Sequence, residues 1–394
     1  MEKTQKKPQN RIGLFFVVTA MFWFTNYAYM PTFTPYLKSE NIGYAMIGAI
    51  GGAYGLAQLI LRIPIGIASD RFGKRKIFII AGVCFGTLSS FLLFFAKDPT
   101  VIWLLRFTSG ISASMWVVYT VLFSSYFAEG KTASRISILS IANTGGILIA
   151  KLSGSMIVEA FGYPSAFLLS GTVGIIAIVM SFFVKENVPE MKEKPRIAEL
   201  LSVFKNRNLL VMSILAVFSQ MAMFATINTF TPEVAAKLGA DSLQLGFLAT
   251  LSSLPGLFVS MILGWLFAKK INFRFLVSFS MLLGAAGSIM TAFAGSINMV
   301  YAASVVACFG FGICMTSLMS FCTMTVDPKY RSVAMGAYQA IYSIGMFLGP
   351  VVVGIVADIF DMRAGILSAA LLSLIGMMLA FVLLKRTHSG NAVQ

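Results

Sequence analysis

Apolar runs long enough to cross a bilayer, about 18 residues with few charges, recur along the chain at 12–37, 43–69, 77–96, 100–127, 133–159 and 163–184. A second set follows at 209–235, 243–268, 275–295, 298–326, 332–357 and 363–384. Polar and charged residues collect in the short gaps. The pattern predicts an all-α integral membrane protein with twelve transmembrane helices. Six lie on either side of Lys185 to Arg207, a stretch containing KENVPEMKEKPRIAELL. A charged, Pro-bearing segment of this kind separates folding units. The chain therefore divides into an N-terminal bundle over 1–184, a linker over 185–208 and a C-terminal bundle over 209–394.

The two sets of spans repeat each other. The tetrapeptide TFTP stands at Thr32 to Pro35 and again at Thr229 to Pro232, half the chain away. At nearly the same offset, Gly66 matches Gly264, Lys131 matches Lys329, Gly146 matches Gly345 and Glu159 matches Asp358. The repeat predicts two pseudo-symmetric six-helix bundles. A parallel repeat about the membrane normal is an architecture in which transporters place a substrate site between two halves. Pro35 and Pro232 fall near the outer end of the first helix of each half, where a missing N–H costs little.

Composition agrees with a membrane chain: 58% of residues are hydrophobic and 11% charged, against about 25% charged in soluble domains. The 30 Lys and Arg residues sort by side. One face holds only Lys38, Lys97, Lys237 and Arg363, three more cations lie inside spans, and the remainder sit in the tails, the linker and the loops of the other face. By the positive-inside rule both termini are cytoplasmic, in the plasma or inner membrane. The net charge of +15 is then explained by orientation and contact with anionic lipid headgroups rather than nucleic acid. The first apolar run is too long for a cleavable signal and lacks a small-residue cleavage site. Cys84, Cys308, Cys314 and Cys322 lie inside spans at no metal-like spacing, and the single histidine, His388, is in the tail. They read as small buried hydrophobes, and no metal or cofactor is expected.

The loop after the second span reads Gly66-Ile-Ala-Ser-Asp70-Arg71-Phe-Gly73-Lys74-Arg75-Lys76. Here the chain resembles the major facilitator superfamily, whose signature between helices two and three is Gly-x-x-x-Asp-Arg-x-Gly followed by three basic residues. Gly66 permits close helix contact, Asp70 ends a helix where a carboxylate can face a neighbouring helix N-terminus, and Gly73 permits a tight turn. The resemblance implies a gating latch formed by Gly66, Asp70, Arg71, Gly73, Lys74 and Arg75, bridging to the start of helix eleven near Arg331. The second-half counterpart, GWLFAKKINFR from Gly264, has Ala268 in place of the acid. Only the first copy is expected to be a full latch. Arg106-Phe-Thr-Ser-Gly110 resembles the superfamily's Arg-x-x-x-Gly motif of helix four, with Ser109 where Gln is common. Gly345 to Pro350 has the Gly-x-x-x-Gly-Pro spacing that antiporters of this superfamily carry in helix five. In span five itself the aligned residues are Gly146 to Lys151, with a lysine at the proline position.

An ionisable residue at membrane depth is a functional hypothesis by default. All fifteen carboxylates fall at span ends, in loops or in tails, whereas Arg62, Arg106 and Lys151 fall within spans. Fixed cations without a buried acid favour an anion, or the acidic group of a zwitterion. Arg62 reads either as an internal anchor or as functional, Arg106 as gating or coupling, and Lys151 as facing a cavity. Asn26, Tyr27, Trp116, Tyr119, Asn143, Gln220, Asn228, Gln339 and Tyr342 complete the candidate substrate site. The resemblance places helices one, four, seven and ten around it.

The leading reading is a secondary transporter, working as a monomer by alternating access on a small anionic or zwitterionic solute. Proton-coupled efflux of lipophilic drugs is the alternative, with Glu129 or Asp70 as the exchanging acid and a proton as coupling partner. A polytopic enzyme or receptor is disfavoured, because no metal constellation, intramembrane acid pair or activated nucleophile is present.

Overall fold

A computed structural model describes residues 9–127, 132–186, 206–256, 258–259, 272–324 and 331–384. Glu129, Lys131, Gly264, Ala268, Lys329, His388 and most of the expected linker lie outside them. The described chain is helical: α1 (Gln9–Tyr27), α2 (Met30–Ser39), α3 (Tyr44–Phe72), α4 (Arg75–Leu93), α5 (Pro99–Ser114), α6 (Trp116–Ser124), α7 (Thr132–Phe161) and α8 (Pro164–Ser181). The second half contains α9 (Arg207–Met223), a π-helical segment (Phe224–Phe230), α10 (Thr231–Lys237), α11 (Ser242–Leu251), α12 (Phe273–Ala292), α13 (Ile297–Met324), α14 (Arg331–Ile359) and α15 (Met362–Leu383). Among the described residues, eleven continuous or lightly broken helices are long and apolar enough to cross a membrane. The eighth predicted span is described only in its first part, α11. This is the all-α architecture of two six-helix bundles.

Short polar caps set the helix starts. Asp98 accepts from the N–H groups of Thr100 and Val101 beneath Pro99. Asp241 and Gln244 cap each other reciprocally at α11, and Asp361 accepts from Ala364. Each cap answers N–H groups that no preceding turn can satisfy. Gly73 ends α3 at φ 63°, donating to Ser69 O. That left-handed turn fits the role expected of it.

The repeated TFTP marks the same feature twice. In the first span the helix breaks between Tyr27 and Met30 and resumes as α2, which carries Thr32 to Pro35. In the seventh, α9 widens into the π segment that ends at Phe230, and α10 begins with Thr231 and Pro232. Proline leaves a carbonyl of the preceding turn without its N–H, and π turns inside helices are frequent at functional sites. Both interruptions open onto the cleft between the halves.

We call the side where α1 begins and α15 ends the terminal face. Toward the opposite face, α3 lies along α14, and α7 lies along α11. At Gly52 an added methyl would stand 2.5 Å from Phe347 O, and at Gly55 2.6 Å from Met346 C. Only glycine lets these backbones approach so closely. Gly66 differs from its expectation: the nearest described atom to an added methyl is Val117 Cγ1 of the same half, at 4.0 Å. Among the described residues it makes no closer interhelical contact, because it lies far along α3 from the tight part of the seam.

Candidate functional site

Between the halves lies a cleft lined by Asn26, Tyr27, Met30, Phe33, Thr34, Leu37, Ile47, Gly51, Tyr54, Arg106, Phe224, Asn228 and Thr229. Its free volume is about 10 Å³, room for about one water. Its own side chains fill it in this conformation. Phe33, Thr34 and Thr229 come from the two TFTP copies.

Arg106 is the polar centre of the cleft and is 3% exposed. Its Nη1 donates to Tyr29 Oη at 2.9 Å and to Ser109 Oγ at 3.2 Å. Its guanidinium lies 4.7 Å from the Tyr54 ring centroid, a cation–π contact. Ser109 Oγ donates to Asn26 Oδ1 at 2.9 Å, and Asn26 Nδ2 donates to Phe22 O at 2.9 Å. The serine that replaces the superfamily's usual glutamine thus links the arginine to α1. Among the described residues, two buried polar atoms of the lining have no partner, Arg106 Nε and Asn228 Nδ2. Both are donors.

The other expected site residues are placed elsewhere. Lys151 is on α7, where Nζ donates to Ala249 O at 3.1 Å and to Ser253 Oγ at 2.8 Å in the other half. It stands 5.9 Å from the ring of Tyr27, just behind the lining. Arg62 Nη1 donates to Tyr342 Oη at 3.4 Å, from α3 to α14. Both of these cations hold seams. The Tyr119 ring lies 4.6 Å from that of Phe22 and Trp116 lies 5.2 Å from Trp23, in the core of the first half. Asn143, Gln220 and Gln339 are not among the lining residues; Gln220 is buried with Oε1 unpartnered. Tyr54 and Phe224 join the lining, and Tyr29 holds Arg106 from behind it, without having been singled out, since one aromatic in an apolar span carries no signal of which way it faces.

Glu233 departs from its sequence reading as a span end. It is 4% exposed and accepts from Tyr44 Oη at 3.2 Å across the halves. The ammonium groups of Lys38 and Lys237 stand 4.3 and 5.0 Å from the Tyr44 ring centroid. Burial comes from the partner bundle, which a one-dimensional pattern cannot display.

In the loop between α3 and α4, Asp70 pairs with Arg75 of its own half at 3.4 Å, and the Asp70 side chain is 58% exposed. Glu186 accepts from the backbone N–H of Arg75, and Lys76 Nζ donates to Phe182 O at 2.5 Å. The loop is therefore anchored to the end of α8. The side chain of Arg331, the expected second-half partner, lies outside the described residues.

This helical chain, with eleven spans among its described residues, a half-length repeat and an interhalf cleft, matches a family model described as Major Facilitator Superfamily over residues 15–235 and 212–394. The chain belongs to the major facilitator superfamily. It is a multi-pass membrane transporter and not an enzyme. An uncharacterised MFS-type transporter of Methanocaldococcus jannaschii is 25% identical over 92% of this chain and 97% of its own length. Quinolone resistance protein NorA of Staphylococcus aureus is 23% identical, over 91% and 92%. In structure, this superfamily member resembles a bacterial homologue of the human lysosomal transporter Spinster in an inward-facing, unoccupied conformation, at TM-score 0.81, 15% identity and 96% and 97% coverage. It also resembles the nucleoside transporter NupG, at TM-score 0.75, 14% identity and 95% and 97% coverage. At those identities the likeness concerns the fold alone.

Proposed function

We propose that this protein is a secondary active transporter of the cell membrane that moves a small anionic or zwitterionic organic solute by alternating access. In this reading residues 1–184 and 209–394 are the two moving bundles, 185–208 links them, the terminal face is cytoplasmic, and one chain is the working unit. The observation that carries the substrate class is the pair of unpartnered donors in the cleft, Arg106 Nε and Asn228 Nδ2. No carboxylate is among the lining residues. A buried donor without a partner is costly, and a buried cation without an anion more so. A carboxylate or phosphate entering the cleft supplies both missing partners. Lys151, 5.9 Å from the Tyr27 ring, adds positive field from behind the lining. Opening the cleft makes the room that this conformation lacks.

Efflux of lipophilic drugs is the second reading, supported by the likeness to NorA and by the acid buried at Glu233. A thermal-shift panel of the purified protein separates the two. A ligand at one hundred times its dissociation constant stabilises by about 2.7 kcal/mol. Organic anions and zwitterions should raise the melting temperature while lipophilic cations leave it in place. The reverse ranking transfers support to drug efflux.

A further inference from the structure

The sequence repeat aligned Glu159 with Asp358, and nothing in the cleft uses either. Both stand at the ends of equivalent helices, α7 and α14, on the face opposite the termini. Each reaches across to the other half and caps the first turn of a helix there. Asp358 Oδ1 accepts from Tyr44 N at 2.7 Å and Oδ2 from Ala45 N at 2.8 Å, at the start of α3. Glu159 Oε2 accepts from Ser242 N at 3.1 Å, at the start of α11. The acceptor in each case is a carboxylate meeting N–H groups that lack partners within their own helix, where the helix dipole favours negative charge.

We propose that Glu159 and Asp358 are twin positioning residues for transport. On this account they are symmetry-related clasps that hold the opposite face shut and must both release before that face can open. The inference rests on the alternating-access reading and not on the substrate class. Local packing at both seams agrees with it. The N-cap of α3 is Gly43, where an added methyl would meet Asp358 Oδ2 at 3.2 Å. A side chain at Gly43 would crowd the carboxylate. At the second seam, Lys151, Ser155 and Glu159 stand one turn apart along α7. They meet α11 and the turn after it at Ala249 and Ser253, at Gly246 and at Ser242 in turn. The clasp is thus the outermost rung of a ladder. Separating the halves at this face exposes all of these groups to water, so the bonds between the halves set how often it opens. Asp358 makes two short bonds and Glu159 one longer bond, so the clasps are equivalent in place and unequal in strength.

The test uses the full chain in proteoliposomes, with spin labels at Phe95 and Phe293, exposed residues near the opposite-face ends of α4 and α12. A charge-assisted hydrogen bond contributes enough for its loss to change the open-to-closed ratio about ten- to hundredfold. Asp358→Ala should lengthen the label distance most, Glu159→Ala less, and the double variant by about the product of the two ratios. Asp358→Asn and Glu159→Gln keep shape and volume and lose only charge; they should shift the distance in the same direction by less. An unchanged distance distribution in these folded amide variants overturns the proposal. So does an equal shift from Glu40→Gln, which removes an exposed acid on the same face. No substrate enters the experiment, so its failure leaves the anionic-solute reading standing, and failure of the ligand panel leaves the clasps standing.

Discussion

Gly52→Ala tests whether the glycine-lined seam sets the conformational balance. The new methyl would stand 2.5 Å from Phe347 O and 3.2 Å from Phe347 Cδ2. The ring can turn aside, but the backbone carbonyl cannot, so α3 and α14 must part by several tenths of an ångström. Overpacking of this kind costs about 1–3 kcal/mol, or roughly a five- to hundredfold change in the closed-to-open ratio at about 1.4 kcal/mol per decade. Alanine also favours helix over glycine by about 1 kcal/mol, but α3 is helical in both conformations and that gain cancels from the ratio. Gly66→Ala is the matched control on the same helix. Its methyl meets no described atom nearer than 4.0 Å, against 2.5 Å at Gly52. The assay is the distance between spin labels at Phe95 and Phe293, with melting temperature read alongside. Gly52→Ala should populate longer distances, and Gly66→Ala should leave the distribution where it is or shorten it. If both substitutions lengthen the distance equally, or Gly52→Ala leaves it unchanged, close packing at this seam does not control the equilibrium.

Further outcomes follow from the same geometry. Lys151→Met keeps the apolar length of the side chain but removes both bonds to the second half, at Ala249 and Ser253, and it should weaken apparent substrate affinity about tenfold while lengthening the label distance. Lys151→Arg should be milder without being neutral, because a planar fork donates differently from an ammonium, and transport kinetics with the label distance read both effects. Among the described residues Asp70 makes one ion pair, with its own side chain exposed, of the kind worth about 0–1 kcal/mol, so Asp70→Asn should leave the melting temperature in place. If Asp70 latches the opposite conformation, as the superfamily signature implies, turnover in vesicles should fall all the same.

The membrane spans, the half-length repeat and the signature loop were legible in the sequence because each is a one-dimensional pattern. Asn26, Tyr27, Arg106 and Asn228 were legible as cleft residues because polar groups in apolar helices need partners or a cavity. What the pattern could not carry is which helix of one half faces which helix of the other. Lys151 therefore looked like a cavity residue, although Ala249 and Ser253 of the second half supply its acceptors. Glu233 read as one of the carboxylates at span ends, although Tyr44 of the other half donates to it and it is buried. Glu159 and Asp358 were visible as a repeated pair, and their shared role became apparent only when each was found at the helix start of the opposite bundle. TFTP showed that something recurs, but the helix interruptions beside it depend on backbone geometry that the prolines favour without dictating.

The claim at the centre of this account is that Arg106 provides the positive centre of the substrate cleft. Its most direct test is equilibrium binding of the most stabilising anion from the ligand panel to wild type and to Arg106→Gln, measured by titration calorimetry with the melting temperature confirming the fold. Glutamine keeps a donor toward Tyr29 and Ser109 but removes the charge. A hydrogen bond to a charged group is worth about 1.5–3 kcal/mol, so affinity should fall roughly ten- to hundredfold. An unchanged dissociation constant in a folded Arg106→Gln protein would contradict the account.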